Sequence, residues 1–190
     1  MKYFIDTEFI ERSNTIDLVS IGIVSEVGST FYAVNKDCNL SLASNWVKEN
    51  VLLKMPEYNA ESNTFRALSS DWRNDCLLAK DQIAIDVLSF IGNVTPEFWG
   101  YYSDYDWVVF CWLYGSMMHL PKHFPMYCKD LKQEIDRLNV IDLPENNKHN
   151  ALDDAKWIKR VYDQIHKCKY AYCFVNCEDR VNCDLKRIIP

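Results

Sequence analysis

The sequence predicts an α/β sandwich built around a mixed sheet, and two patterns carry this prediction. Three strand-like segments follow one another directly in residues 1–35, and helical and strand-like segments alternate after them. The chain has 190 residues, of which 48% are hydrophobic, so it is long enough to bury a core and too apolar for intrinsic disorder. We therefore expect one globular domain.

The first three strands are expected at Lys2–Phe9, Ile16–Ser25 and Thr30–Val34. Each segment is rich in the β-branched and aromatic residues that favour strands, and Gly28-Ser29 is a typical turn between the last two. Three consecutive strands joined by short turns predict a meander that opens the sheet.

After residue 35, segments with helical spacing of apolar residues alternate with segments typical of strands. Apolar residues recur at helical spacing in five of them, two short apolar runs are typical of buried strands, and residues 57–80 fit neither pattern. The helices are expected at 44–53, 81–91, 107–113, 131–138 and 150–166, and the strands at 96–101 and 125–128.

The composition argues against several classes of protein. A formal net charge of −6 provides no global basic field for nucleic acid, so any phosphate contact has to come from local Lys and Arg residues or from bound metal. Residues 1–9 lack the basic and apolar regions of a signal peptide, and no apolar run reaches the roughly 18 residues of a membrane helix. We expect a soluble, cytoplasmic protein with no membrane partner.

The eight cysteines are expected to be reduced thiols, because nothing marks the chain for secretion. Zinc favours C-x-x-C pairs, and the spacings within residues 168–190 contain none. We expect this segment to be a tail packed on the domain formed by residues 1–167, and it carries Cys168, Cys173, Cys177 and Cys183.

Asp6 and Glu8 form the first candidate site. Residues two apart on a strand face the same side of the sheet, so these carboxylates share one patch. Close like charges repel, and a divalent cation between them would relieve the repulsion. An isolated D-x-E tripeptide is also common on strands whose polar side simply meets water. The choice between these interpretations depends on further carboxylates downstream.

Asp154 is such a carboxylate. In the helix expected at 150–166 it lies on the same face as two isoleucines and a valine, whereas Asp153 lies on a more polar face. Asn150 is a suitable cap for the start of this helix. A core-facing Asp needs a partner, and the patch on the first strand would provide one.

Two further groups complete the constellation. His149 immediately precedes the helix cap, where an imidazole could take a proton from water at the site. Tyr105-Asp106 opens the helix that follows the strand at 96–101. Periodicity leaves open whether Asp104 or Asp106 points inward.

Taken together, these residues resemble the DEDDh branch of the 3′–5′ exonucleases, most closely its compact bacterial and phage exoribonucleases. The resemblance covers residues 1–35, 97–115 and 148–166 and favours Asp106 over Asp104. The family's D-x-E, Phe-Asp and H-x-A-x-x-D-A motifs are matched by Asp6-Thr7-Glu8, by Tyr105-Asp106 and by residues 149–155.

The resemblance implies a ribonuclease H-like fold with a five-stranded mixed sheet and helices on both faces. It implies a metal-dependent 3′–5′ exoribonuclease that releases nucleoside 5′-monophosphates from single-stranded nucleic acid, with RNA favoured over DNA, and it leaves a homodimer open. His149 would be the general base, and two Mg²⁺ or Mn²⁺ ions about 4 Å apart would be held by Asp6, Glu8, Asp106 and Asp154.

Five residues are expected to contact the substrate. The rings of Phe9 and Tyr102 are candidates for stacking on a terminal base, as is Trp99, while Thr7 and Lys148 are candidates for polar contacts. Tyr102 stands where the family usually has Asn, and Phe9 where it commonly has Thr or a small residue.

Two alternative functions are compatible with the same motifs. One is a DNA exonuclease of the proofreading or trimming type. The other is a binding module that keeps the nuclease fold without turnover. Four carboxylates and a histidine at one site favour a catalyst, since a scaffold does not need them.

Overall fold

The computed structural model describes residues 1–68, 76–140, 143 and 149–167. The tail at 168–190 and Lys148, both the subject of sequence predictions, lie outside these residues. The described strands are β1 Lys2–Arg12, β2 Thr15–Ser25, β3 Thr30–Asn35, β4 Tyr58–Asn59, β5 Thr64–Phe65, β6 Leu77–Leu78, β7 Glu97–Gly100 and β8 Lys129–Asp130. The described α-helices are α1 Asn45–Asn50, α2 Lys80–Ile91, α3 Asp104–Leu113, α4 Leu131–Arg137 and α5 Ala151–Lys167.

The main sheet is mixed, as the sequence predicts, but it has six strands where five were expected, in the order β6-β3-β2-β1-β7-β8. The first three strands are an antiparallel meander, whereas β7 pairs in parallel with β1, and β8 and β6 pair in parallel at the two edges. Strands β4 and β5 form a separate small hairpin. Strand β1, which carries Asp6 and Glu8, is therefore an inner strand of the sheet, between β2 and β7.

Two strands differ from the sequence prediction. The strand expected at 125–128 lies instead at Lys129–Asp130, because Pro125 cannot donate to a ladder and the next two side chains are exposed. The sixth strand, β6, lies in the segment that showed no period and pairs with the end of β3. Two residues are too few to produce a recognisable alternation.

Helices cover both faces of the sheet. On one face, α2 and α3 pack through Ile83, Val87 and Phe110 against apolar residues of the meander. On the other face, α4 and α5 pack against Phe4, Val24 and Trp99. Burying each large aliphatic side chain contributes about 1.5–3 kcal/mol, so these two layers hold β1 rigidly.

A third apolar cluster extends the α5 side of the sheet. It joins Ile10 and Val19 to the segment before and after α1, including Leu52 and Met55. Among the described residues, none of the helices combines the length and apolar character needed to cross a membrane.

Candidate active site

Three carboxylates meet where β1 lies under the start of α5. Single oxygen atoms of Asp6, Glu8 and Asp154 lie within 4.8 Å of one another. Glu8 and Asp154 are buried, and Asp6 is half-buried. The strand and helix periods therefore predicted correctly that the two acids of β1 share one patch and that Asp154 points inward.

The start of α5 is fixed by a reciprocal pair of hydrogen bonds. The Asp153 N–H donates to the Asn150 side chain (3.1 Å), which confirms Asn150 as the cap. The return bond comes from the Asn150 N–H to Asp154 Oδ2 (3.2 Å). Asp153 instead directs its carboxylate to Lys156, 3.2 Å away. The cap thus orients the carboxylate that joins the acidic cluster.

Gly22 allows α5 to come this close to the sheet. It lies opposite Asp6 in the β1–β2 ladder. A Cβ atom at this position would lie 2.3 Å from the Ala151 carbonyl oxygen and 2.4 Å from the Leu152 nitrogen. No motif in the sequence includes Gly22, although an isolated glycine inside a strand pattern is a known signal of close backbone approach.

Asp106 is joined to β1 by Thr7. Its Oδ1 accepts both the Thr7 N–H (2.8 Å) and the Thr7 hydroxyl (2.6 Å), and its side chain is buried. The Thr7 side chain is itself buried. Its hydroxyl therefore holds Asp106 to β1.

Burial and mutual repulsion raise the pKa values of these carboxyl groups. Burial is the main cause at Asp6, whose pKa is well above its usual range, and the charges of Asp106, Glu8 and Asp154 raise it further. Burial also raises the pKa of Glu8 to about 8, with Asp154 and Asp106 adding to the shift and Lys54 opposing it.

Burial and hydrogen bonding have opposite effects on the pKa of Asp106. Burial raises the pKa of its carboxyl group to about 6, while the two hydrogen bonds from Thr7 lower it. A group of acids that repel one another at this range is suited to a divalent cation, which favours the ionised form of each. All the donors are hard carboxylate oxygens, which fit Mg²⁺ and Mn²⁺.

His149 lies at the end of α5 nearest the cluster, directly before the cap residue whose N–H binds Asp154. Its backbone is in the left-handed region, with a φ of 46°. Its ring packs edge-to-face on Trp46 of α1, with 5.2 Å between ring centroids, and Trp46 itself is 55% exposed. A strained backbone and a ring contact together restrict the direction of the imidazole. No local pattern in the sequence indicated that Trp46 would lie here.

The three aromatic residues considered for base stacking have different surroundings. Tyr102 is 65% exposed, has a φ of 54° and packs on Tyr101, with 4.7 Å between ring centroids. Phe9 is half-buried against the ring of Tyr105. Trp99 is buried against Tyr162 and is not open to a base, which corrects the expectation for that ring.

In the absence of metal, the protein is expected to lose thermal stability as the pH rises from about 4.5 to about 8. The pKa of Glu8 is raised from 4.5 to about 8, so in this window the folded protein keeps a proton that the unfolded chain has released. Raising the pH therefore favours the unfolded chain. Melting curves in EDTA across this range measure the effect.

Glu8→Gln is expected to flatten this pH dependence, because Gln does not titrate. Glu11→Gln is the control, since Glu11 is exposed farther along the same strand. Mn²⁺ should raise the melting temperature more at pH 8 than at pH 5. A wild-type protein with the same pH dependence as the Glu8→Gln variant would contradict the raised pKa.

Comparison with known proteins also identifies an exoribonuclease family, and the match extends over residues 1–166. Residues 1–166 match the family described as the 3′–5′ exoribonuclease Rv2179c-like domain. Two proteins of Mycobacterium tuberculosis, from strains CDC 1551 and H37Rv and both named 3′–5′ exoribonuclease, are 35% identical over 161 residues. The match covers 82% of this chain and 88% of each relative.

Solved structures share the fold at low sequence identity. Pop2p of S. pombe, in a form that binds Mg²⁺ and Mn²⁺, superposes with a TM-score of 0.53 at 16% identity over 90% of this chain and 84% of its own. E. coli exonuclease I in complex with single-stranded DNA has a TM-score of 0.60 at 12% identity, and the match covers 88% of this chain and 41% of that one. These likenesses confirm the predicted ribonuclease H-like fold class.

Proposed function

Because the chain belongs to the family of 3′–5′ exoribonuclease Rv2179c-like domains, we propose that it hydrolyses single-stranded RNA from the 3′ end and releases nucleoside 5′-monophosphates. The observation that carries the proposal is the cluster formed by Asp6, Glu8 and Asp154. RNA is favoured over DNA because the relatives from M. tuberculosis are named exoribonucleases.

The acidic residues are the proposed metal ligands. Asp6, Glu8 and Asp154 supply adjacent oxygens, and Asp106 is held to the same strand by Thr7. The set fits two Mg²⁺ or Mn²⁺ ions, which when bound would supply Lewis-acid activation of water and stabilisation of the leaving 3′ oxygen. The same carboxylates keep the polyanionic substrate away from the metal-free site.

His149 is the proposed general base. Its imidazole would accept the proton of the attacking water. The ring contact with Trp46 and the left-handed backbone restrict the orientation of the imidazole, which supports this role. The cap bond from Asn150 to Asp154 couples the position of His149 to that of the acidic cluster. The proposed base, His149, and the proposed metal ligand Asp154 therefore both lie at the start of α5.

The exposed ring of Tyr102 is the proposed stacking surface for a base of the strand. It lies in the turn between β7 and α3, two residues before α3 begins. Stacking on one aromatic ring contributes about 1–3 kcal/mol per base and does not depend strongly on the base. Phe9 and Lys148 are further proposed substrate contacts, with Phe9 contributing the exposed part of its ring.

A time course on 5′-labelled single-stranded RNA and DNA of equal sequence tests the proposal. We expect a ladder that shortens from the 3′ end with Mg²⁺ or Mn²⁺, that disappears in EDTA, and that is faster on RNA. His149→Ala is expected to slow hydrolysis about 10²- to 10⁴-fold, the usual contribution of a general base. Sedimentation of the same sample shows whether the active species is a monomer or a homodimer.

His166→Ala is the matched control, because His166 lies near the other end of α5 and interacts with Glu134. Hydrolysis that continues in EDTA, or that is unaffected by His149→Ala, would contradict the proposed mechanism. Faster hydrolysis of DNA would favour the trimming of DNA, and no shortening of either polymer would favour a binding module without turnover.

A further inference from the structure

The segment formed by residues 44–54 borders the candidate site at two points. Near its beginning, Trp46 packs on the ring of His149. At its end, the ammonium group of Lys54 lies close enough to Glu8 to lower the pKa of that carboxyl group. One short segment therefore reaches both the proposed base and one of the proposed metal ligands.

The backbone of this segment is held firmly. The Ser44 hydroxyl accepts the Val47 N–H at the start of α1 (3.2 Å), and the Lys54 N–H donates to the Val51 carbonyl (3.0 Å). On either side of the exposed Lys54 side chain, Leu52 and Met55 are buried in the cluster that includes Ile10.

Ile10 also explains why this turn lies beside the site. It is two residues beyond Glu8 on β1, so the two side chains face the same side of the sheet. Leu52 and Met55 belong to the same buried cluster as Ile10, so the turn lies on the side of the sheet that carries Glu8. The position of Lys54 at the edge of the carboxylate cluster follows from core packing and does not depend on an ion pair.

The positive charge of Lys54 has no other evident task. The ion pairs formed within the described part of the chain do not include it. With a net charge of −6 and an acidic cluster, the protein needs local cations to hold an RNA strand. A lysine ammonium is a compact charge on a flexible stem, which suits the oxygens of a phosphate group.

We propose that Lys54 binds a backbone phosphate of the RNA strand at or next to the bond that is hydrolysed. This inference rests on the proposed function of the same site. It assigns the phosphate contact to the turn after α1, a part of the chain in which the sequence motifs indicated no functional residue. Lys54 acts in binding the strand and takes no part in proton transfer.

Lys54→Gln is expected to raise the KM for single-stranded RNA about tenfold with little change in kcat, because the variant loses one charge-assisted contact that holds the strand equally well before and during the reaction. The slope of log(kcat/KM) against log[salt] should become shallower by about 0.7, the value for one phosphate contact on a single strand. Lys54→Arg should retain most of the affinity.

Lys122→Gln is the matched control. Lys122 is exposed, and its neighbour His123 binds the Gly92 carbonyl near the end of the sheet at which β1 begins, away from the acidic cluster. This variant should have the KM and the salt dependence of the wild type.

Two results would overturn the inference. One is a Lys54→Gln variant that matches Lys122→Gln in both KM and salt dependence. The other is a variant whose only change is the Mn²⁺ concentration needed for half-maximal activity, because Lys54 would then act on the metal site alone. A wild-type protein that shortens no RNA would contradict the proposed function itself, whereas an active wild type with an unaffected Lys54→Gln variant contradicts only the phosphate contact.

Discussion

Asp154→Asn is expected to slow RNA hydrolysis on the order of a thousandfold and to make the metal-free protein more stable. The magnitude is that of removing one group that stabilises developing charge in an active site. Asparagine keeps an oxygen that can accept the Asn150 N–H, so the cap of α5 can persist. It removes one of the charges that raise the pKa values of Asp6 and Glu8, so repulsion in the metal-free cluster falls.

Single-turnover hydrolysis with saturating Mn²⁺ and melting curves in EDTA measure the two effects. Asp153→Asn is the control, because Asp153 is the adjacent residue on α5 and its carboxylate binds Lys156 outside the cluster. It should change neither the rate nor the pH dependence of stability. If both variants lost the same activity, the negative charge at the start of α5 would matter, and the position of Asp154 within the acidic cluster would not.

The variants of Asp153 and Asp154 are expected to differ because the two side chains point in different directions, and the sequence predicts these directions well. The two-residue period of a strand is enough to place Asp6 beside Glu8, and the helical period is enough to turn Asp154 inward. Each of these predictions needs only the identity of the element. The structure then adds that both elements meet at one point.

Asp106 could not be placed in this way. Periodicity did not distinguish it from Asp104, and only the resemblance to a family favoured it. The interaction that settles its orientation is the pair of hydrogen bonds from Thr7, which is 99 residues away in the sequence. Local propensity carries no information about a contact of this kind.

The position of the segment formed by residues 44–54 beside the site was not predicted, for a related reason. The sequence predicts a helix here correctly, and the structure shows that Ser44 caps it. Its place beside the site depends on the buried cluster that Leu52 and Met55 share with Ile10, a tertiary association of apolar residues that look alike in any core. A Trp and a Lys on such a segment become informative only once that packing is known.

Gly22 is the exception, because its signal was present in the sequence and carries a large expected effect. Gly22→Ala is expected to destabilise the protein by about 1–3 kcal/mol, the usual cost of overpacking. The new methyl group would meet the Ala151 carbonyl at 2.3 Å, and that contact is with backbone, which cannot rotate away. Relief requires α5 to move off β2, which takes Asp154 away from Asp6.

The variant should therefore lose hydrolysis and require more Mn²⁺ for the activity that remains, even at temperatures where it is fully folded. Gly28→Ala is the control: Gly28 has a φ of 94°, so alanine is strained there, but a Cβ atom would meet no heavy atom within 4 Å. It should lower the melting temperature and leave the Mn²⁺ requirement unchanged. If Gly22→Ala behaved like Gly28→Ala, the distance between α5 and the sheet would not control the site. If it behaves as expected, a residue with no side chain sets the geometry of the carboxylate cluster, because it determines how closely two backbones approach.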